Sequence, residues 1–139
     1  MSADDNKKFG EFLKRVRNEK KEHDESFSIR GLAEKIKVSA TYLSKIERGE
    51  LPASNETIYA LAKALEVSPD EFFAHAGKLE PELQQKIVSN DSPVKMAAFL
   101  RTASGLSQER LEMFQRMMNA VEENEPPPKD ESTNNEQTV

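Results

Sequence analysis

Between Thr41 and Arg48 the sequence gathers two hydroxyls, a phenol, an ammonium and a guanidinium: Thr41, Tyr42, Ser44, Lys45 and Arg48. At helical spacing they fall mainly away from Leu43 and Ile46, which lie three residues apart on one side. A face of this kind suits recognition of a polyanion. Threonine reads a base through its hydroxyl or methyl, lysine through guanine O6 and N7, and Arg48 and nearby Lys37 suit phosphates. The Tyr42 ring packs while its hydroxyl reaches a phosphate, and Ala40 offers only a methyl, matched by the methyl of thymine. The competing reading is an ordinary solvated helix face.

Two short helices must carry this face. Ser28 is placed to cap the first, with Phe27 stapled to Leu32, and Leu32, Ala33 and Ile36 point inward. Lys37-Val38 breaks the register. Ser39 caps the second helix, 40–48, Val38 staples to Leu43, and Gly49 ends it in a left-handed conformation. Ser28 and Ser39 are caps first, with phosphate contact as a second role. The pattern predicts a helix-turn-helix whose second helix enters a DNA major groove. Lys35, Lys37, Lys45 and Arg48 are candidates for a locally basic face.

The flanks supply the core this pair lacks. A helix from about Lys7 to Lys21 places Phe9, Phe12, Leu13 and Val16 on one stripe, after a polar, frayed start at residues 1–6. Residues 19–26 (EKKEHDES) have no apolar side chain and are a helix extension or an exposed loop. Asn55 is expected to cap a helix to Leu65. Ser68, Pro69 and Glu71 form a start signal with a capping box, leading to Phe72 and Phe73 before Gly77. The expected fold class is all-α: a five-helix unit over 7–76, a small helical module over 79–122, and a disordered, acidic, Pro-rich tail over 123–139. The module's helices start at Pro81, at Ser92-Pro93 and at Ser107. Its stripe of Phe99, Leu100, Leu111, Phe114, Met117, Met118 and Val121 is either an intramolecular core or an interface for a second copy or a partner protein. The second-copy interface is favoured, because a unit this small reads only half of a two-fold site.

Composition narrows the classes. The 139 residues contain no cysteine, which excludes disulfides and Cys-based metal sites or nucleophiles. No apolar run approaches membrane-spanning length and the N-terminus lacks a signal-peptide core, so a cytoplasmic protein is the default. The formal charge of −5 is unusual for a nucleic-acid binder. Residues 1–76 hold 13 Lys/Arg against 14 Asp/Glu, and 77–139 hold 7 against 11, so the acidity is concentrated in the second part. A groove binder needs a basic face rather than a basic total. His23 and His75 stand far apart without ligand spacing, so no metal or other cofactor is expected. With no phosphate loop, nucleophile elbow or metal motif, no enzymatic activity is expected.

The strings FSIRGLAEKIKVSATYLSKIERGE and ETIYALAKALEVSPDEFF, at their observed offset, resemble the lambda-repressor/Cro-type helix-turn-helix domain, the Xre family. The resemblance runs from Phe9 to about Phe73. It implies a compact five-helix domain that binds double-stranded operator DNA as a homodimer, with helix 28–36 across the phosphate backbone and helix 40–48 in the groove. The family's base contacts map onto Ala40, Thr41, Tyr42, Ser44 and Lys45. Its structural ion pair maps onto Arg17 and Glu47. Two departures stand out: Ile29 occupies a position where the family often has Gln, and EKKEHDES is about five residues longer than the usual connection. The reading is a sequence-specific transcriptional regulator, more a repressor than an activator. The alternatives are an antitoxin or immunity-type repressor, whose residues 79–122 bind a toxin or peptidase, and a protein-interaction scaffold.

Overall fold

The structure, a computed structural model, describes residues 2–124. Among them are eight α-helices, one 3-10 turn and no strand: α1 (Ala3–Lys21), the turn Glu25–Phe27, α2 (Ile29–Ile36), α3 (Ala40–Glu47), α4 (Asn55–Leu65), α5 (Pro69–His75), α6 (Pro81–Val88), α7 (Pro93–Ser104) and α8 (Gln108–Asn124). The expected tail lies almost wholly outside the described residues. No helix among those described is long and apolar enough to cross a membrane. The chain divides into two compact units, up to Ser89 and from Asn90 onward, so α6 falls with the first.

Caps explain most boundaries, and they move several expected ones. Instead of fraying, the start is helical from Ala3. Ser2 Oγ accepts the Asp5 N–H at 3.1 Å, and the Asp5 carboxylate accepts back from the Ser2 N–H at 3.3 Å. Asp4 and Asp5 also sit favourably in the first turn against the helix dipole. Residues 19–26 combine both expectations: α1 runs on to Lys21, then Asp24 accepts the Ser26 N–H at 2.9 Å and starts the 3-10 turn. Ser54, not Asn55, caps α4. Its hydroxyl accepts the Thr57 N–H at 3.2 Å and donates to Thr57 Oγ1 at 2.9 Å. At α5 the expected capping box is absent. Pro69 presets the first helical φ, and the Glu71 N–H bonds to the Ser68 carbonyl at 3.1 Å, so the start holds without a side-chain bond.

The core of the first unit joins five helices: Phe9, Phe12 and Leu13 from α1, Leu32 from α2, Leu43 and Ile46 from α3, Ile58, Leu61 and Leu65 from α4, and Phe72 and Phe73 from α5 are buried. Phe72 meets Phe12 edge-on at 5.1 Å between ring centroids and Phe9 at 5.9 Å. The α6 helix joins this unit through a polar clasp. Glu80 accepts the N–H groups of Leu83 (2.8 Å) and Glu82 (3.0 Å) at the helix start, and Tyr59 of α4 donates its hydroxyl to the same carboxylate.

From Asn90 to Glu123 no residue is buried. Val94 is 82% exposed, and Phe99, Leu100, Leu111, Phe114, Met117, Met118 and Val121 are all between 39% and 56% exposed. A cavity of about 290 Å³ lies between α7 and α8, lined by Ala98, Phe99, Thr102, Ala103, Leu106, Leu111 and Phe114.

Candidate nucleic-acid interface

The α3 helix has a sharply divided circumference. Leu43, Ile46 and Glu47 are buried, Thr41 and Arg48 are exposed, and Ala40, Tyr42, Ser44 and Lys45 are half-buried. Its start is fixed by Ser39, whose hydroxyl accepts the Tyr42 N–H at 3.0 Å. Ser28 does the same for Gly31 of α2 at 3.1 Å. In both caps the hydroxyl is an acceptor, so its proton remains free to donate. Gly49, at φ +74°, closes the far end where the Lys7 backbone of α1 leaves no room for a side chain.

The scaffold grips the last turn of α3 from behind. Arg17 of α1 donates Nε to Glu47 Oε2 at 2.8 Å and Nη2 to Glu47 Oε1 at 3.0 Å, with both side chains buried. Its remaining nitrogen, Nη1, donates to the Phe27 carbonyl at 3.2 Å. One guanidinium therefore ties α1, the 3-10 turn and α3 together, with the planar fork matched to the carboxylate. Gly10 lets α1 come this close: a Cβ there would lie 2.7 Å from the Ile46 carbonyl oxygen and nearer still to that of Glu47. Glu47 is thereby neutralised, although it sits on the helix that carries the polar face.

The proposed contact residues separate into groups. Ala40, Thr41, Ser44 and Arg48 line one open recess of about 350 Å³, together with Ile29 at the start of α2. Tyr42 packs its ring partly against the core. Lys37 caps α2 in the left-handed conformation (φ 60°) and is exposed. Among the described residues, Lys37 and Lys45 have no ion-pair partner. Arg48 is half-exposed and pairs with Glu50 at 3.3 Å. Lys35 sits over the Phe27 ring at 4.9 Å, which anchors its stem on the scaffold while the side chain stays exposed. Across residues 28–50 five basic side chains stand against three acidic ones, and Glu47 is one of the three.

Two residues of this face escaped the sequence reading. Ile29 registered only as a missing glutamine, although its place directly after the Ser28 cap aims it beside α3. Glu50 carries no motif signal in the sequence; only its distance to Arg48 gives it a role.

The other chemistry-bearing candidates have structural places. His75 stacks on Phe12 at 3.7 Å, and His23 is in the exposed turn after α1. Among the described residues no group of three or more His, Asp or Glu side chains is arranged to hold a metal. Lys20 pairs with Glu66 at 2.6 Å, which holds that carboxyl below its usual range. The Glu80 carboxyl is likewise lowered, chiefly by the Tyr59 hydrogen bond and then by the Leu83 and Glu82 amides, against the opposing effect of burial. The Tyr59 phenol is pushed up to about 12 by the same bond.

Comparison with known proteins bears on the same segment. Residues 25–72 match the helix-turn-helix family model. Two Mycobacterium tuberculosis proteins, from strains CDC 1551 / Oshkosh and ATCC 25618 / H37Rv, are described as uncharacterized HTH-type transcriptional regulators. Each is 46% identical to this chain over 54 residues. The match spans 39% of this chain and 39% of each relative. Residues 25–72 contain the caps of α2 and α3, the divided face of α3 and the Glu47 half of the buried ion pair. Through this segment the chain is similar to helix-turn-helix transcriptional regulators, in line with the lambda-repressor/Cro-type resemblance of its sequence.

Proposed function

We propose that the chain is a sequence-specific DNA-binding transcriptional regulator, a cytoplasmic repressor that binds a two-fold operator as a homodimer with α3 in the major groove. The observation that carries this reading is the outward face of α3, held rigid from behind by the bidentate Arg17–Glu47 pair. Rigid display matters because base-edge hydrogen bonds discriminate only when the donors are already aimed. In this reading Ala40, Thr41, Tyr42, Ser44 and Lys45 meet bases, while Ser28, Lys37, Ser39 and Arg48 meet phosphates. Neutralisation of Glu47 leaves the face locally cationic, which offsets the acidic total. The Arg48–Glu50 pair opens when Arg48 transfers to a phosphate.

Homodimerisation uses the exposed stripe Phe99, Leu100, Leu111, Phe114, Met117, Met118 and Val121 within residues 79–122. It sets two copies of α3 about 34 Å apart, one turn of duplex. A second reading rests on the same exposed side chains: a repressor of antitoxin type, whose C-terminal helices hold a different protein.

The test is a gel-shift titration of the full chain on its own upstream DNA, with competitor duplex and a salt series. The expected result is specific retention that falls steeply with salt. Lys45→Ala should change base preference at one position in each half-site. A uniform loss on all sequences would show that Lys45 reads only the backbone, and absence of any preferred duplex would dispose of the regulator reading.

A further inference from the structure

We infer that the recess between the start of α2 and the outer face of α3 receives the 5-methyl group of a thymine, with Ile29 as the residue that sets this preference. The inference rests on the operator-binding reading and names the base that one part of that surface selects.

The recess is lined by Ile29, Ala40, Thr41, Ser44 and Arg48 and measures about 350 Å³. Ile29 is the first residue of α2, held in place by the Ser28 cap, and it remains half-exposed although it is aliphatic. Ala40 is the corresponding first residue of α3 and is also half-exposed. The two helix starts thus present an aliphatic side chain and a methyl to the same open space. Thr41 adds a side chain with both a hydroxyl and a methyl. The polar members, Ser44 and Arg48, lie one and two turns further along α3 from Ala40.

The chemistry then selects the base. Neither the Ile29 nor the Ala40 side chain can donate or accept a hydrogen bond, so the side chains at this end of the recess read nothing by polar complementarity. A cytosine amino group or a purine N7 placed there would lose its water without gaining a partner, which is unfavourable. Of the four bases, only thymine presents an apolar group to the major groove. With Ile29 beside Ala40, this end of the recess rejects polar edges and is satisfied by a methyl.

The experiment separates the base preference from DNA binding itself. Full-length protein selects its preferred duplex from a randomised pool, and each thymine of the selected site is then replaced in turn by deoxyuridine, which differs only in lacking the methyl. One position per half-site should weaken binding about fourfold, the weight of a single buried methyl, and about fifteenfold when both half-sites carry it. Ile29→Ala should bring thymine and uracil at that position to equal affinity while the remaining positions keep their preferences. A purely structural role for Ile29 would instead lower affinity on both duplexes and preserve their ratio, overturning the assignment. Selection of a duplex in which every uracil is tolerated would also overturn it while leaving the operator-binding reading intact. Failure to enrich any duplex would remove both.

Discussion

Residues up to Ser89 and residues 90–124 are built from the same material, amphipathic helices of similar length, with opposite outcomes. Phe9 in α1 and Phe114 in α8 each sit on an apolar stripe at helical spacing, yet Phe9 is fully buried and Phe114 is 41% exposed. In the first unit five helices converge, so each stripe finds the others. In the second, two helices leave a cavity between them and their remaining apolar side chains open. Amphipathicity therefore states which face seeks cover. It does not state whether the same chain supplies it.

The largest expected effects test whether the first unit owes its rigidity to the features that the second lacks. Glu47→Ala strands the Arg17 guanidinium in the interior and should cost about 3–5 kcal/mol, read by chemical denaturation. A much smaller loss would mean that water reaches Arg17. Phe72→Ala should cost a similar amount, about 3–5 kcal/mol, through the cavity it opens beside Phe9 and Phe12. Phe114→Ala sharpens the contrast. It should change the unfolding of the first unit little but should weaken self-association measured by sedimentation. Equal destabilisation by the two Phe variants, at a concentration where the chain is monomeric, would show that the second unit has a core after all.

Smaller effects concern the polar contacts at the edge of the first unit's core. Tyr59→Phe should leave the five-helix core folded and loosen α6, seen as faster amide exchange at Glu82 and Leu83, because Glu80 would lose the bond from α4. The clasp also has a pH window. Glu80 has a lowered pKa in the folded state, so its contribution is complete above the ordinary Glu value of about 4.3 and is lost as pH falls through the lowered pKa. Tyr59 is raised, so its contribution is complete below the ordinary tyrosine value of about 10 and is lost as pH rises through about 12. Amide resonances of Glu82 and Leu83 should therefore shift at the two extremes and stay constant between them. Smallest of all, Glu66→Gln removes the exposed Lys20 pair and should leave the melting transition in place, since such pairs contribute little.

Much of the first unit was legible from local chemistry. The caps at Ser28 and Ser39, the inward placement of Leu32, Leu43 and Ile46, and the left-handed Gly49 follow from residue type and spacing within a few positions of each other. Misplaced starts also had local causes: at Ser2 and at Ser54 the capping partner lies three residues on, and neighbouring polar residues obscured which one would cap. The candidate site was half legible. Its polar members are legible by type, but Ile29 has no polar atom and stands out only as a departure from the family pattern, and the Arg48–Glu50 pair depends on how the chain leaves α3.

The sequence by itself determined most of the helices and their inner faces, because capping, propensity and apolar period act over one or two turns. Only the tertiary structure decided that α1 approaches α3 closely enough for Gly10 to be required. It likewise decided that one guanidinium holds three elements, and that Ile29 shares a recess with Ala40 and Arg48. The physical reason is range. Residues brought together from separate helices meet only after packing has set the helix positions, and local spacing along the chain carries no record of those positions.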